Sequence, residues 1–207
     1  MKRVPKRGSY DHKTVYKILD AGQIAHVSFV IDGQPFIIPT LYGRKDNALY
    51  IHGSAASRML KHLKDGVPCA VAVTLVDGLV LARSAFHHSM NYRSVVVYST
   101  AILTEGEEKI EALKIISDQV IKGRWDEVRL PNEKELKGTT VLRVPIDQAS
   151  AKVRTGPPGD EDEDYALDIW AGVVPLKQVA QPPEEDPGSV RTYPVPPSVE
   201  DYLMKNG

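Results

Sequence analysis

The sequence predicts a mainly β fold with flanking helices (α+β), built on an antiparallel sheet curled into a barrel. Three observations predict it. Apolar runs rich in β-branched residues follow one another between residues 24 and 103. Two of the junctions carry Asp-Gly pairs, Asp32-Gly33 and Asp77-Gly78, a strong signal for tight hairpins. Helical periodicity is confined to three stretches, 11–21, 57–64 and 107–121. Strands joined by tight turns pair antiparallel, and closing such a sheet removes its exposed edges.

The first helix, 11–21, places Val15, Ile18 and Leu19 on one face and stops at Gly22. The first strand is IAHVSFVI (Ile24–Ile31), which turns at Asp32-Gly33 and returns as PFIIPTLY, residues 35–42. Pro35 and Pro39 mark this return as an edge or interrupted strand, because proline cannot donate to a ladder. Residues 48–52 form a third strand, and 57–64 a short amphipathic helix with Met59, Leu60 and Leu63 inward. Residues 68–76 and 79–86 read as a second hairpin around Asp77-Gly78, and 92–103 as one long strand. The helix at 107–121 repeats Ile110, Leu113, Ile116, Val120 and Ile121 at helical spacing. Late strands follow at 139–146 and 151–155, then an acidic loop, GPPGDEDED, and a brief apolar return, IWAGVVPL. From Gln181 prolines and charges dominate, which predicts an extended or partly disordered arm on the body or on a partner. The organisation is therefore an N-terminal helical arm (1–22), one barrel domain (23–176) and a Pro-rich C-terminal arm (177–207).

Composition bounds the function. The chain of 207 residues is 42% hydrophobic and 26% charged, ordinary for a soluble protein with one sizeable core. A net charge of −1 leaves no basic field for nucleic acid or an anionic membrane. The start, MKRVPKRGSYDHK, is basic but lacks the apolar core of a signal peptide. No run approaches the roughly 18 apolar residues of a membrane span. With Cys69 as its sole cysteine, in the apolar run CAVAV, the chain forms no internal disulfide. A cytoplasmic home and a buried, inert thiol are expected, rather than a nucleophile.

The segment LYIHGSAASRMLK (residues 49–61) carries the clearest chemistry. A strand ends in small and hydroxyl-bearing residues and enters a helix. His52, Gly53, Ser54, Ser57, Arg58 and Lys61 could together hold a phosphate through backbone N–H groups, hydroxyls and a guanidinium fork. Taken singly, Ser54 is a helix cap, Arg58 a solvated charge and His52 a polar strand end. A second cluster, RSAFHHSMNYRS (residues 83–94), crowds His87, His88, Tyr92, Arg93 and Ser94 between two strands. It reads as a pocket wall or a polar hairpin end. The paired histidines lack a carboxylate or cysteine at ligand spacing, so no metal site is expected. Lys152 and Arg154 share a strand face and could meet one anion. Trp170 could cap an aromatic ligand or anchor the tail by burial. The run Asp160–Asp164 lacks calcium-loop spacing and reads as solvated.

These segments, with IPTLYGR (38–44), VDGLVLARSAFHHSMNYRSVVVYSTA (76–101) and AKVRTGPPGDEDEDYALDIWAGVVPL (151–176), resemble the pyridoxamine 5′-phosphate oxidase-like flavoproteins. Within these FMN-binding split barrels, the chain is most similar to the small flavin-nucleotide-binding branch near the nitroimidazole-resistance proteins. The resemblance implies a homodimer of six-stranded split barrels with FMN in each interface cleft. It implies FMN contacts from Pro39, Thr40, Leu41 and Tyr42, from His52, Gly53, Ser54, Ser57, Arg58 and Lys61, from Tyr92, Arg93 and Ser94, and from Arg154 and Trp170. Met59 stands where the oxidases carry a lysine, and their C-terminal R-x-H pattern is absent, which argues against oxidation of pyridoxamine phosphate. The implied function is an FMN-dependent oxidoreductase acting on a small organic substrate, with electrons from a nicotinamide cofactor or a reductase. His52, His87 and His88 are the candidate proton donors. The alternative is a non-catalytic protein that stores or senses FMN, or holds haem in the same cleft.

Overall fold

The computed structural model describes residues 7–207; the first six residues of the expected N-terminal arm lie outside the described residues. A two-residue strand β1 (Gly8–Ser9) precedes helix α1 (His12–Ala21). Asp11 caps α1 by accepting from Thr14 N at 2.8 Å. The helix buries Val15, Ile18 and Leu19, the face its periodicity predicts. Gly22 ends it because there is no room for a side chain: a Cβ would sit 2.6 Å from Val73 Cγ1 and 2.7 Å from the Tyr42 hydroxyl.

Strands β2 (Ile24–Ile31) and β3 (Gln34–Lys45) form the first hairpin. Asp32 and Gly33 both take positive φ, 50° and 78°, as a tight two-residue turn requires. Along 34–41 β3 pairs with β2 alone, and its second neighbour, β4 (Ala48–Ser54), joins only from Tyr42 onward. Pro35 and Pro39 therefore lie on an edge, where a missing N–H costs nothing.

The second Asp-Gly pair does not form a hairpin. After α2 (Arg58–Leu63), one strand of 14 residues, β5 (Pro68–Leu81), runs straight through it. The register with β6 (Ser89–Thr100) shifts between Val76 and Gly78, so Asp77 is a bulge residue. Its carboxylate accepts from Arg93 across the strand pair, which stabilises the bulge. The real turn is displaced to residues 82–88 and contains the 3₁₀ turn Ala85–His87.

The predicted run 92–103 is also divided. Buried Ala101 separates β6 from β7 (Ile102–Leu103), and β7 pairs with β8 (Thr139–Pro145) rather than with β5. With β9 (Gln148–Arg154), the sheet order is β1-β9-β6-β5-β2-β3-β4-β8-β7, every pairing antiparallel. Because β7 continues β6, the sheet curls round until its far edge meets the chain it started from. A short β10 (Gly172–Pro175) pairs with β5 off this path. The described residues thus hold ten strands where six were expected. Three of them, β1, β7 and β10, are two to four residues long and leave no periodicity to read. Val27, Phe29, Leu49, Ile51, Val71, Val73, Val95 and Leu142 fill the interior with the apolar face of α1. Cys69 joins this core, and burial pushes its thiol pKa up, as an inert thiol requires.

Helix α3 (Gly106–Val120) lies outside the barrel on β3. It rests on Gly43, where a Cβ would come within 2.6 Å of Ile115 O and 2.8 Å of Ile116 Cα. This seat buries Ala112 and Ile116, leaves Ile110 44% exposed and turns Leu113 and Val120 toward a side cavity. Helices α4 (Glu133–Gly138) and α5 (Pro197–Asn206) were not foreseen. α4 starts with a capping box between Asn132 and Glu135, and α5 starts with Pro197. α5 ties the C-terminal arm to the body: Ser198 N and Oγ donate to Glu127 at 3.0 and 2.5 Å. No helix of the described residues is long and apolar enough to cross a membrane.

Candidate functional site

Ile51 faces the core, so the next residue on β4, His52, faces outward. The β3–β4 register, Tyr42 opposite Ile51, puts Leu41 beside it on the same face. Above them lies a cavity of about 400 Å³, walled by Leu41, Leu113, Ile116, Val120, Trp125 and His52. Its lining is predominantly apolar, with Arg124 and Arg129 also on the wall. Burial lowers the His52 pKa, so the imidazole is neutral near pH 7. Its Nδ1 is enclosed with no hydrogen-bond partner among the described residues, which leaves Nε2 as the nitrogen available to a ligand.

Beyond His52 the chain makes a tight turn. Ser54 Oγ accepts from Ala56 N at 3.1 Å, and Ser57 N donates to Ser54 O at 2.8 Å. Ser57 caps α2 by accepting from Leu60 N at 3.5 Å. Gly53 lies against Leu60, whose Cδ1 would be 3.1 Å from an added Cβ. Both serines thus have structural duties, while their hydroxyl protons remain free to donate outward. The Arg58 guanidinium stacks on the Phe36 ring at 4.3 Å and has no carboxylate partner among the described residues. Lys61 is exposed one turn later.

Of the expected β3 contacts, Pro39 and Leu41 face the open side of the sheet, and half-buried Thr40 donates to Leu41 O at 3.2 Å. Tyr42 points the other way. It is fully buried and donates its hydroxyl to Leu19 O at 2.5 Å. Its side chain belongs to the core, and alternation along the strand is the reason.

A second cluster forms where β6, β9 and the 82–88 turn meet. Arg93 is committed to Asp77, donating from Nε at 2.9 Å and Nη2 at 2.7 Å. Ser94 faces outward opposite Lys152, and Tyr92 opposite Arg154. Arg154 is only 8% exposed. Its Nη1 donates to Asn91 Oδ1 at 2.5 Å and Gly156 O at 3.5 Å, and its Nη2 to Pro157 O at 3.4 Å. His88 Nδ1 accepts from Ala82 N at 3.0 Å. Asp160, expected in a solvated loop, instead has a fully buried side chain. Its carboxylate accepts from Arg83 N and Ser84 N at 3.0–3.1 Å and from Arg83 Nη1 at 3.3 Å. Trp170 is 67% exposed, so it does not anchor the tail by burial in its own chain.

The family model of pyridoxamine 5′-phosphate oxidase matches residues 11–153. The chain belongs to the pyridoxamine 5′-phosphate oxidase family. Among solved structures, the flavocytochrome Anf3 of Azotobacter vinelandii is 40% identical with a TM-score of 0.90, over 100% of this chain and 95% of that one. The FAD- and haem-binding protein of Mycobacterium smegmatis is 38% identical with a TM-score of 0.91, over 94% of this chain and 96% of that one. A candidate 5-nitroimidazole resistance protein of Bacteroides thetaiotaomicron shares the fold at 22% identity and a TM-score of 0.59, over 70% of this chain and 86% of that one. No curated protein sequence matches significantly.

For this family member, the site residues expected from sequence fall into two groups. Leu41 and His52 share the side cavity, with the 53–58 turn directly after it in the chain. Tyr92 and Arg154 lie across β6 and β9, which β2 and β5 separate from β3 in the sheet order. Asn91 and Asp160 were missed. A buried amide and a carboxylate aimed at backbone N–H groups leave no periodic signal, and only their partners reveal them.

Proposed function

We propose that this chain is a flavin-dependent redox protein that also holds haem. The observation that carries the reading is similarity at 40% identity, along its whole length, to a flavocytochrome. The second relative, an FAD- and haem-binding protein at 38% identity, supports the same pairing. The residues present fit both groups. The 53–58 turn offers free hydroxyl protons, the first N–H groups of α2 and the uncommitted Arg58 fork to a flavin phosphate. The apolar cavity beside β4 offers haem a dry wall and the neutral His52 imidazole, while Arg124 and Arg129 on its wall are already paired with Glu127 and Glu135. Bound flavin would supply hydride and one-electron chemistry. The protein's part is to anchor the phosphate, present Pro39 and Leu41 to the flavin ring, and keep the His52 nitrogen unprotonated or poised to donate.

FMN satisfies the turn. Ser54, Ala56 and Arg58 are exposed, so the same turn also accommodates the longer FAD that the mycobacterial relative holds. The working unit is a homodimer. Pro39, His26, Ala72 and Val96 lie in register across four strands of the open face, flanked by exposed Ile24, Ile37 and Leu41. A second copy is the partner that such a self-complementary apolar sheet face fits.

The test is the visible spectrum of the purified protein, followed by mass analysis of the released cofactors. A flavin band together with a Soret band is expected. A colourless protein that takes up neither added flavin nor added haem overturns the proposal. Light scattering that gives a monomer at micromolar concentration overturns the dimer.

A further inference from the structure

We infer that helix α5 is a latch on the cavity at His52, and that its docking onto Glu127 holds the outer wall of that cavity shut. The wall is a single segment of chain between α3 and α4. Ile121, Arg124, Trp125, Val128, Arg129 and Pro131 all line the cavity, facing Leu41 and His52 on the sheet. The segment leaves α3 through Gly123, whose φ of 87° suits glycine and few other residues. Ser198 Cβ lies 4.0 Å from where a Cβ on Gly123 would stand, so the start of α5 sits directly against this bend.

The contact serves both partners. The first N–H groups of a helix have no partner within it, and its N-terminus favours negative charge. Glu127 meets both needs of α5. Its Oε1 accepts from Ser198 N at 3.0 Å, and its Oε2 accepts from Ser198 Oγ at 2.5 Å. The same Oε2 accepts from Arg124 Nη1 at 3.2 Å. The bonds from Ser198 hold the Glu127 pKa below its ordinary value, so the carboxylate is charged near pH 7. One carboxylate therefore joins a guanidinium of the cavity wall to the start of α5. Farther along the helix, Tyr202 Oη accepts from Gln23 Nε2 at 3.2 Å. That amide also donates to Val120 O at 3.4 Å, at the end of α3.

This helix is built to let go. Ser198 is its only buried residue, so no large apolar side chain pins α5 to the body. Met204 is 77% exposed. A helix of 10 residues is marginal by itself, so released α5 unfolds and Glu127 loses both bonds together. Elements with few buried apolar contacts open far more readily than a core. Docking of α5 and closure of the wall are thus one equilibrium. The gated ligand has an apolar body, to match the predominantly apolar lining. That this ligand is haem rests on the function proposed above, whereas the latch rests on the geometry of Glu127 and α5.

The experiment is hydrogen–deuterium exchange of the purified holoprotein, read by mass spectrometry on peptides covering residues 121–131. Asp201 is exposed inside α5, and Asp201→Pro breaks the helix without touching wall or cavity. Exchange at 121–131 is expected to accelerate roughly tenfold or more in Asp201→Pro. In Ser198→Ala it should accelerate roughly tenfold, the worth of one hydrogen bond to a charged group. Peptides from β2 and β5 should keep wild-type rates in both variants. Unchanged exchange at 121–131 in Asp201→Pro, with protection of α5 itself lost, overturns the latch. Equal acceleration in β2 and β5 also overturns it, because the loss is then global. Haem transfer to excess apomyoglobin, followed in the Soret band, should speed up by the same factor as wall exchange. Faster wall exchange with unaltered haem loss supports the latch and overturns haem as the occupant of this cavity.

Discussion

Arg93 donates to Asp77 from both Nε and Nη2, at 2.9 and 2.7 Å, across the bulge that keeps β5 in one piece. The pair lies where a sequence that favours a hairpin instead runs on as a continuous strand. Asp77→Ala should therefore destabilise the fold by about 1 kcal/mol, since both groups are about one-third exposed and solvent screens them. Urea denaturation measures this. An unchanged midpoint would show that Gly78 and β10 hold the bulge without the ion pair.

Gly43 is where α3 touches the barrel. Gly43→Ala places a methyl 2.6 Å from Ile115 O and 2.8 Å from Ile116 Cα, backbone atoms that cannot yield separately. A loss of roughly 1–3 kcal/mol is expected from overpacking. The cavity at His52 should change shape with the helix, so retained cofactor per chain should fall as well. Retention equal to wild type would mean that α3 does not shape the binding site.

His52 gives the protein an acid-sensitive element. Burial holds its folded pKa below the unfolded value of 6.5, so the unfolded chain binds more protons below that pH. Stability from the neutral imidazole is full above pH 6.5 and declines as pH falls from there toward the folded pKa. Denaturation midpoints at neutral and mildly acidic pH should differ less in His52→Phe than in wild type. An identical pH dependence in the two proteins would remove His52 as its source.

Arg58 carries the phosphate reading. Arg58→Ala should weaken FMN by about 1.5–3 kcal/mol and riboflavin far less, because only FMN has the charge that the guanidinium can bond. Equal weakening of both flavins would assign Arg58 to packing on Phe36 alone.

Much of the local structure was legible from the chain. The Asp32-Gly33 hairpin, the edge character of Pro35 and Pro39 and the buried face of α1 each follow from turn geometry, a missing N–H or helical period. The Asp77-Gly78 pair shows where such reading stops. The same dipeptide forms a turn at Asp32-Gly33 and a bulge at Asp77-Gly78, and the difference lies in Arg93, sixteen residues away.

What the sequence determined by itself is the set of elements whose physics is local: strands, caps, one hairpin, the turn after His52 and a family resemblance. Tertiary structure alone decided which residues meet. Strand alternation buried Tyr42 in the core and turned His52 toward the side cavity. Gly43 set the rotation of α3 and left its remaining apolar face to wall a cavity. The pairing of β6 with β9 and the 82–88 turn brought Arg154, His87 and His88 around one pocket, with Asn91 bonded to the Arg154 guanidinium. Those contacts join residues far apart along the chain, and burial, unlike periodicity, depends on everything packed around a side chain.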